Sequence, residues 1–203
     1  MSHDTWIHKI ARAAIVRPLA KTSVTPNQVT TVRLIAGVGA AMAVAHGGVE
    51  LAHYGAVLFI LSMLLDRADG DLARMTGRTS PGGHTYDLFA DAFCNALIFI
   101  GLGIGLRFGD FRLGSILLGF IAGGAIAAIL VLVIRIENLQ GARAAEIVGL
   151  FGFDPDDAML LIPIAILMGW SEWLLLAAAI GAPAFAVFFL FMLKKRLRNE
   201  RAS

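Results

Sequence analysis

Four aspartates at two helical spacings carry the chemistry of this chain. Asp66 and Asp69 stand at i and i+3, Asp87 and Asp91 at i and i+4. On helices, each pair occupies one face. Both pairs adjoin long apolar runs, and ionisable groups at membrane depth are costly enough to mark a function. The connection between the pairs returns the chain to one surface, so two helix ends would present four carboxylates to a shared centre. Four such groups cannot ionise together without counter-charge. A divalent cation supplies it, and four acids can hold two. Oxygen-only ligation favours Mg²⁺ or Mn²⁺ over zinc; His84, in the connection, is a single imidazole and makes no zinc site.

The neighbours of these acids suit a phosphate ligand. Gly70 and Gly83 remove side chains where a ligand or backbone must come close, and Ala73 is small one turn after Asp69. Arg74 is a fork-shaped cation that can hold an anion by two hydrogen bonds. Gly83, Asp87, Asp91 and Asn95 form a stripe at intervals of four. Cations, a guanidinium and a small-residue floor are the parts of a pyrophosphate site. Each acid alone also has a plainer reading. Asp66 could pair with Arg67 or Arg74, and Asp87 and Asp91 could be a charge pattern favoured at a helix start. Asp71 is assigned to such pairing and left outside the site. All four acids in this order, with Gly, Ala and Arg at set intervals, argue against coincidence.

The elements that must position these groups are apolar. Of 203 residues, 58% are hydrophobic and 16% charged, which excludes an ordinary soluble domain and points to an all-α integral membrane protein. No nucleic-acid partner is expected. The sequence predicts six membrane helices in a single domain, near Val29–Ala45, Leu51–Leu65, Tyr86–Leu106, Leu113–Ile134, Asp157–Gly169 and Trp173–Leu193. The bundle proper occupies 25–193, followed by a basic tail at 194–203. The fifth helix is short, and the acidic turn from Phe153 to Asp157 would cap it. Six spans put both termini on one side. Of 17 Lys and Arg, fourteen then fall on that side, only Arg107 and Arg112 on the other, and Arg33 inside the first helix. The positive-inside rule makes the populated side cytoplasmic.

The N-terminus lacks the pattern of a cleavable signal peptide. Residues 1–22 read as an interfacial amphipathic helix, with Trp6, Ile7, Ile10 and Ala14 on one face and Lys9 and Arg12 elsewhere. A disordered basic arm is the alternative. Thr25 and Pro26 suit the N-cap and first position of the first membrane helix. Asn27, Thr30 and Arg33 would face the cytoplasmic half of the bundle. The lone Cys94 rules out an intramolecular disulfide and reads as an apolar filler. Gly101-x-x-x-Gly105 and Gly119-x-x-x-Gly123 permit close helix approach, within one bundle or at a dimer seam.

The run Asp66-x-x-Asp69-Gly70-x-x-Ala73-Arg74, eight residues, then Gly83-x-x-x-Asp87-x-x-x-Asp91 resembles the complete signature of the CDP-alcohol phosphotransferase family, with no departures. The six-helix outline, the interfacial segment and Pro26-Asn27 are similar to the family too. The resemblance implies transfer of a substituted phosphoryl group from a CDP-alcohol to an acceptor hydroxyl, releasing CMP, in phospholipid synthesis. It implies two divalent cations on Asp66, Asp69, Asp87 and Asp91, with Asp91 also the general base. Asn27, Gly70, Ala73, Arg74 and Gly83 match positions that cradle the nucleotide. A homodimer in a bacterial inner membrane, its site facing the cytoplasm, is implied as well.

The substrates are less legible. The resemblance favours CDP-diacylglycerol as donor; transfer of a small head group from its CDP ester to a lipid alcohol is the alternative. Arg135, Glu137, Asn138 and Arg143 could line the acceptor pocket, and Glu137 and Glu146 offset the two arginines, which favours a neutral or zwitterionic acceptor. Two other classes share part of the pattern. Membrane prenyltransferases use Asp-rich helix ends and Mg²⁺, but the Gly70, Ala73, Arg74 and Gly83 spacing favours the CDP reading. A divalent-cation transporter would place its acids near mid-membrane on broken helices.

Overall fold

The structure is a computed structural model that describes residues 15–80, 82–140 and 159–200, and no strand occurs among them. The long helices are α1 (Pro26–His46), α2 (Val49–Thr76), α3 (Gly83–Gly105), α4 (Leu113–Gln140) and α6 (Ser171–Glu200), with the short α5 (Leu161–Leu167) before the last. Five are long and apolar enough to cross a membrane. Large apolar side chains such as Ile35, Met42, Val57, Phe120, Ile180 and Phe188 stand exposed, as an acyl-chain environment allows.

The start of α1 follows local chemistry. Thr25 N donates to Gln28 Oε1 at 2.9 Å, and Gln28 N donates to Thr25 Oγ1 at 3.4 Å. This reciprocal cap, with Pro26 at the first position, meets the expectation for Thr25 and Pro26 and satisfies otherwise orphaned donors. In α2 the apolar stretch and the charged stretch are one helix. It runs past Leu65 to Thr76 and stops at Gly77, whose φ of 66° is left-handed and whose N–H donates to Ala73 O. Asp66, Asp69 and Arg74 therefore sit on the last turns of a rigid helix, not in a loop.

Contacts set the helix directions. Thr30 meets Asp69, Ser62 meets Arg33, and Val44 packs by Gly55, so α1 and α2 are antiparallel. Arg33 reaches Asp87 and Asp91, Gly37 lies on Cys94, and Gly101 lies on Ala41, so α1 and α3 are parallel. Gly103 packs by Ser115 and Gly123 by Ala96, so α4 runs back along α3. The glycine pairs predicted to permit close approach are used inside this chain. Gly101 and Gly105 lie on the backbone of α1, and Gly119 and Gly123 on that of α3. A core of Ala40, Val44, Phe59, Ile98, Phe99 and Leu102 fills the space between the helices. At the far end, Arg107 donates to the carbonyls of Ala45, His46 and Ile104, capping the ends of α1 and α3.

Of the predicted fifth helix, Asp157–Gly169, the described part begins at residue 159. Among the described residues it is a seven-residue helix, about 10 Å long, against a hydrocarbon layer of about 30 Å. It packs on α2 and α6, and among the described residues five helices have the length to span. The acidic turn before it, Arg143 and Glu146 lie outside the described residues. So do residues 1–14 of the N-terminal segment. Its described end packs Val16 among Val29, Leu65, Ala68 and Leu72, and Arg78 Nη1 donates to the carbonyls of Thr22 and Val24.

Candidate active site

Three helix ends converge on the carboxylates. One carboxylate oxygen from each of Asp66, Asp69 and Asp87 lies within 4.8 Å of the others. This cluster uses the i, i+3 face of α2 and Asp87 in the second turn of α3. Asp69 is 3% exposed and accepts a hydrogen bond at its Oδ2 from Thr30 Oγ1 at 2.7 Å. Asp66 and Asp87 are half-buried and open on one side. Asp91 lies one turn deeper on α3, outside this triad. Its Oδ1 accepts from Asn95 Nδ2 at 3.1 Å, within the Gly83–Asn95 stripe.

Arg33 joins the two groups. Its guanidinium is 2.6 Å from Asp66 Oδ1, 2.8 Å from Asp87 Oδ1 and 2.8 Å from Asp91 Oδ1. The side chain is 2% exposed, and Ser62 Oγ donates to its carbonyl at 3.2 Å. Sequence reasoning assigned it only to the same half of the bundle as the acids. The available signal was its cost: an arginine inside an apolar helix needs a partner. Beneath the cluster, Phe59, Ser62, Asp66, Asp91, Asn95 and Met159 line a cavity of about 20 Å³, room for one water.

The residues predicted to cradle a nucleotide fall in two groups, Asn27 with Gly83 and Gly70 with Ala73 and Arg74. A side chain on Gly83 would meet Ser80 Oγ at 2.8 Å and Asn27 Oδ1 at 3.1 Å, so these two side chains would have to shift to admit one. Asn27 Nδ2 donates to Ser80 Oγ at 3.4 Å, and Thr31 and Tyr86 share a hydroxyl hydrogen bond at 3.0 Å. Ser80, Thr31 and Tyr86 were not anticipated, because nothing in their spacing sets them apart. Gly70 lies beneath the Arg74 guanidinium, and Ala73 is half-buried beside it. Arg74 is mostly exposed, and its Nη2 pairs with the buried Asp71 at 2.6 Å, as Asp71 was expected to pair. His84 is exposed on the first turn of α3. Of the acceptor candidates, Arg135 is exposed on α4; the side chains of Glu137 and Asn138, and all of Arg143, lie outside the described part.

Hard oxygen donors from three converging carboxylates, without sulfur or imidazole among them, fit a hard divalent cation. An apolar helical bundle with such a cluster at its helix ends is the frame of a membrane-embedded, metal-dependent enzyme. The family model for CDP-alcohol phosphatidyltransferase matches residues 23–193, and the chain belongs to that family. It is therefore a transferase that moves a phosphatidyl-type group from a CDP-alcohol, in a family that depends on divalent metal. A comparison with curated proteins found no match.

Proposed function

We propose that this enzyme transfers the phosphatidyl group of CDP-diacylglycerol to the hydroxyl of a small neutral or zwitterionic alcohol, releasing CMP. The observation that carries the reading is the convergence of Asp66, Asp69 and Asp87 inside the family's complete motif. The acceptor oxygen forms a new bond to the phosphorus beside the diacylglycerol. The bond from that phosphorus to the CMP oxygen breaks, and CMP keeps the electron pair. Asp91, one turn below the triad and steadied by Asn95, takes the acceptor proton. Asp66, Asp69, Asp87 and Asp91 would hold the divalent cations, Mg²⁺ or Mn²⁺, two ions in all. Bound there, divalent cations supply neutralising charge for both phosphates and for the departing CMP. Asn27, Gly70, Ala73, Arg74 and Gly83 cradle the nucleotide, and Arg135, Glu137, Asn138 and Arg143 border the acceptor.

The topology we infer has six crossings, with both termini and the site cytoplasmic, in a bacterial-type inner membrane and as a homodimer. The charge bias supports the orientation. A fifth crossing is supported by the chain's course. Antiparallel to α3, α4 carries the chain back towards the site end, yet Glu172 at the start of α6 accepts from Asp110 N at the far end. A dimer seam would use faces other than the glycine pairs.

The test is a product assay. Purified protein with Mg²⁺ or Mn²⁺ and labelled CDP-diacylglycerol is offered serine, glycerol 3-phosphate, inositol, inositol phosphate or choline. One new lipid, formed with equimolar CMP, is expected. Pyrophosphate as the released product, or metal uptake into proteoliposomes with no CMP formed from any CDP-alcohol, would overturn the reading.

A further inference from the structure

Arg33 touches carboxylates from both helices of the motif. Its two terminal nitrogens reach one oxygen each of Asp66, Asp87 and Asp91, and it sits on a third helix, α1. Its burial is nearly complete, and its Nε has no hydrogen-bond partner. Such a group is costly to bury and leaves one donor unsatisfied, so its position needs a compensating interaction. The three carboxylates supply it. Without a cation at this centre, four acids brought together by helix packing would repel each other.

We propose that Arg33 is a resident counter-cation of the carboxylate cluster. It holds Asp66, Asp87 and Asp91 together before a divalent cation arrives, and it keeps cation affinity below what four carboxylates alone would give. This rests on the proposed metal-binding role of the four aspartates. The two halves of the proposal follow from one charge. Each carboxylate has two oxygens, so Arg33 and a cation can share a ligand. The guanidinium, itself shut off from water, nonetheless repels a second cation a few ångströms away. A divalent ion therefore enters a preassembled site but is held less tightly than the acid count suggests. A purely positioning arginine would act in the opposite direction, because its loss would scatter the ligands and weaken binding.

The test is Mn²⁺ binding by calorimetry on purified full-length protein, with thermal melts before and after Mn²⁺. Arg33→Gln should bind Mn²⁺ at least about tenfold more tightly than wild type, because one repelling unit charge is gone. Its metal-free form should melt lower and gain more from Mn²⁺. Arg33→Lys keeps the charge and should stay within about threefold of wild type. Equal or weaker Mn²⁺ binding by Arg33→Gln would overturn the proposal. If that variant survives only with Mn²⁺, its unfolding on chelation, while wild type stays folded, supports the same role. If it cannot be isolated at all, Arg33→Lys decides, and a tenfold loss of affinity there counts against the idea. Asp66→Asn is the separate control: unchanged Mn²⁺ binding in it overturns the assignment of the metal site, and the inference with it, whereas weakened binding there leaves the Arg33 variants to decide the role of Arg33.

Discussion

Thr30→Val probes the site through one hydroxyl. Thr30 Oγ1 lies 2.7 Å from Asp69 Oδ2, with both residues nearly inaccessible. The hydroxyl has one proton and two acceptors in reach, the other being Pro26 O at 3.1 Å. The shorter contact is to a carboxylate, and hydrogen bonds to charged groups are the stronger kind. Valine has nearly the same shape but no donor, so a buried carboxylate oxygen loses its partner at a cost of about 2 kcal/mol. For a chain of this size that lowers the melting temperature by roughly 4–8 °C. If the whole term is felt in the transition state, transfer slows by up to about 30-fold. Thr30→Ser restores the hydroxyl and should recover most of both losses. The assays are melting in detergent and the rate of CMP release. A valine variant that melts within about 1 °C of wild type and turns over normally would refute the assignment of Asp69 to a hydrogen-bonded, functional position.

Three further outcomes follow from the geometry. Gly83→Val should push Ser80 and Asn27 apart and raise KM for the CDP-alcohol about tenfold, while Mn²⁺ binding stays intact, because the collision is with the cradle and not with the acids. Arg107→Met should lower stability by about 1–3 kcal/mol through the uncapped carbonyls of Ala45, His46 and Ile104, read by melting. Its kcat should stay near wild type, since the clamp is at the opposite end of the bundle. Chelation should abolish transfer, with Mg²⁺ or Mn²⁺ restoring it, because the converging donors are hard carboxylate oxygens.

What the sequence could and could not disclose follows from local and non-local physics. Helical period pairs Asp66 with Asp69 and Asp87 with Asp91, and the short connection lets the two helix ends meet; the structure brings Asp66, Asp69 and Asp87 together and leaves Asp91 one turn away. The Thr25-Pro26 start is equally local. The glycine pairs announced close packing but not the partner, which turned out to be helices of the same chain. Arg33 could be seen as costly, yet its direction depends on how α1 packs on α2 and α3. That packing is set by residues far apart in the chain, Gly37 against Cys94 among them. The apolar pattern of the second span ends at Leu65, with Asp66 and Asp69 read on the helix end just beyond it, and the structure carries that helix on to Thr76. In the structure, Arg33 and Thr30 from α1 supply partners that let Asp66 and Asp69 stay helical. The acceptor residues Glu137, Asn138 and Arg143 carry no periodic signal, and they remain a proposal.

The most direct test of the central claim is CMP release by purified wild type and by Asp87→Asn and Asp91→Asn. All three proteins would be supplied with Mn²⁺, CDP-diacylglycerol and the acceptor found in the product assay. The account predicts CMP equimolar with a new lipid from wild type, and none above background from either folded variant. Near-normal CMP release by Asp87→Asn or Asp91→Asn would contradict it.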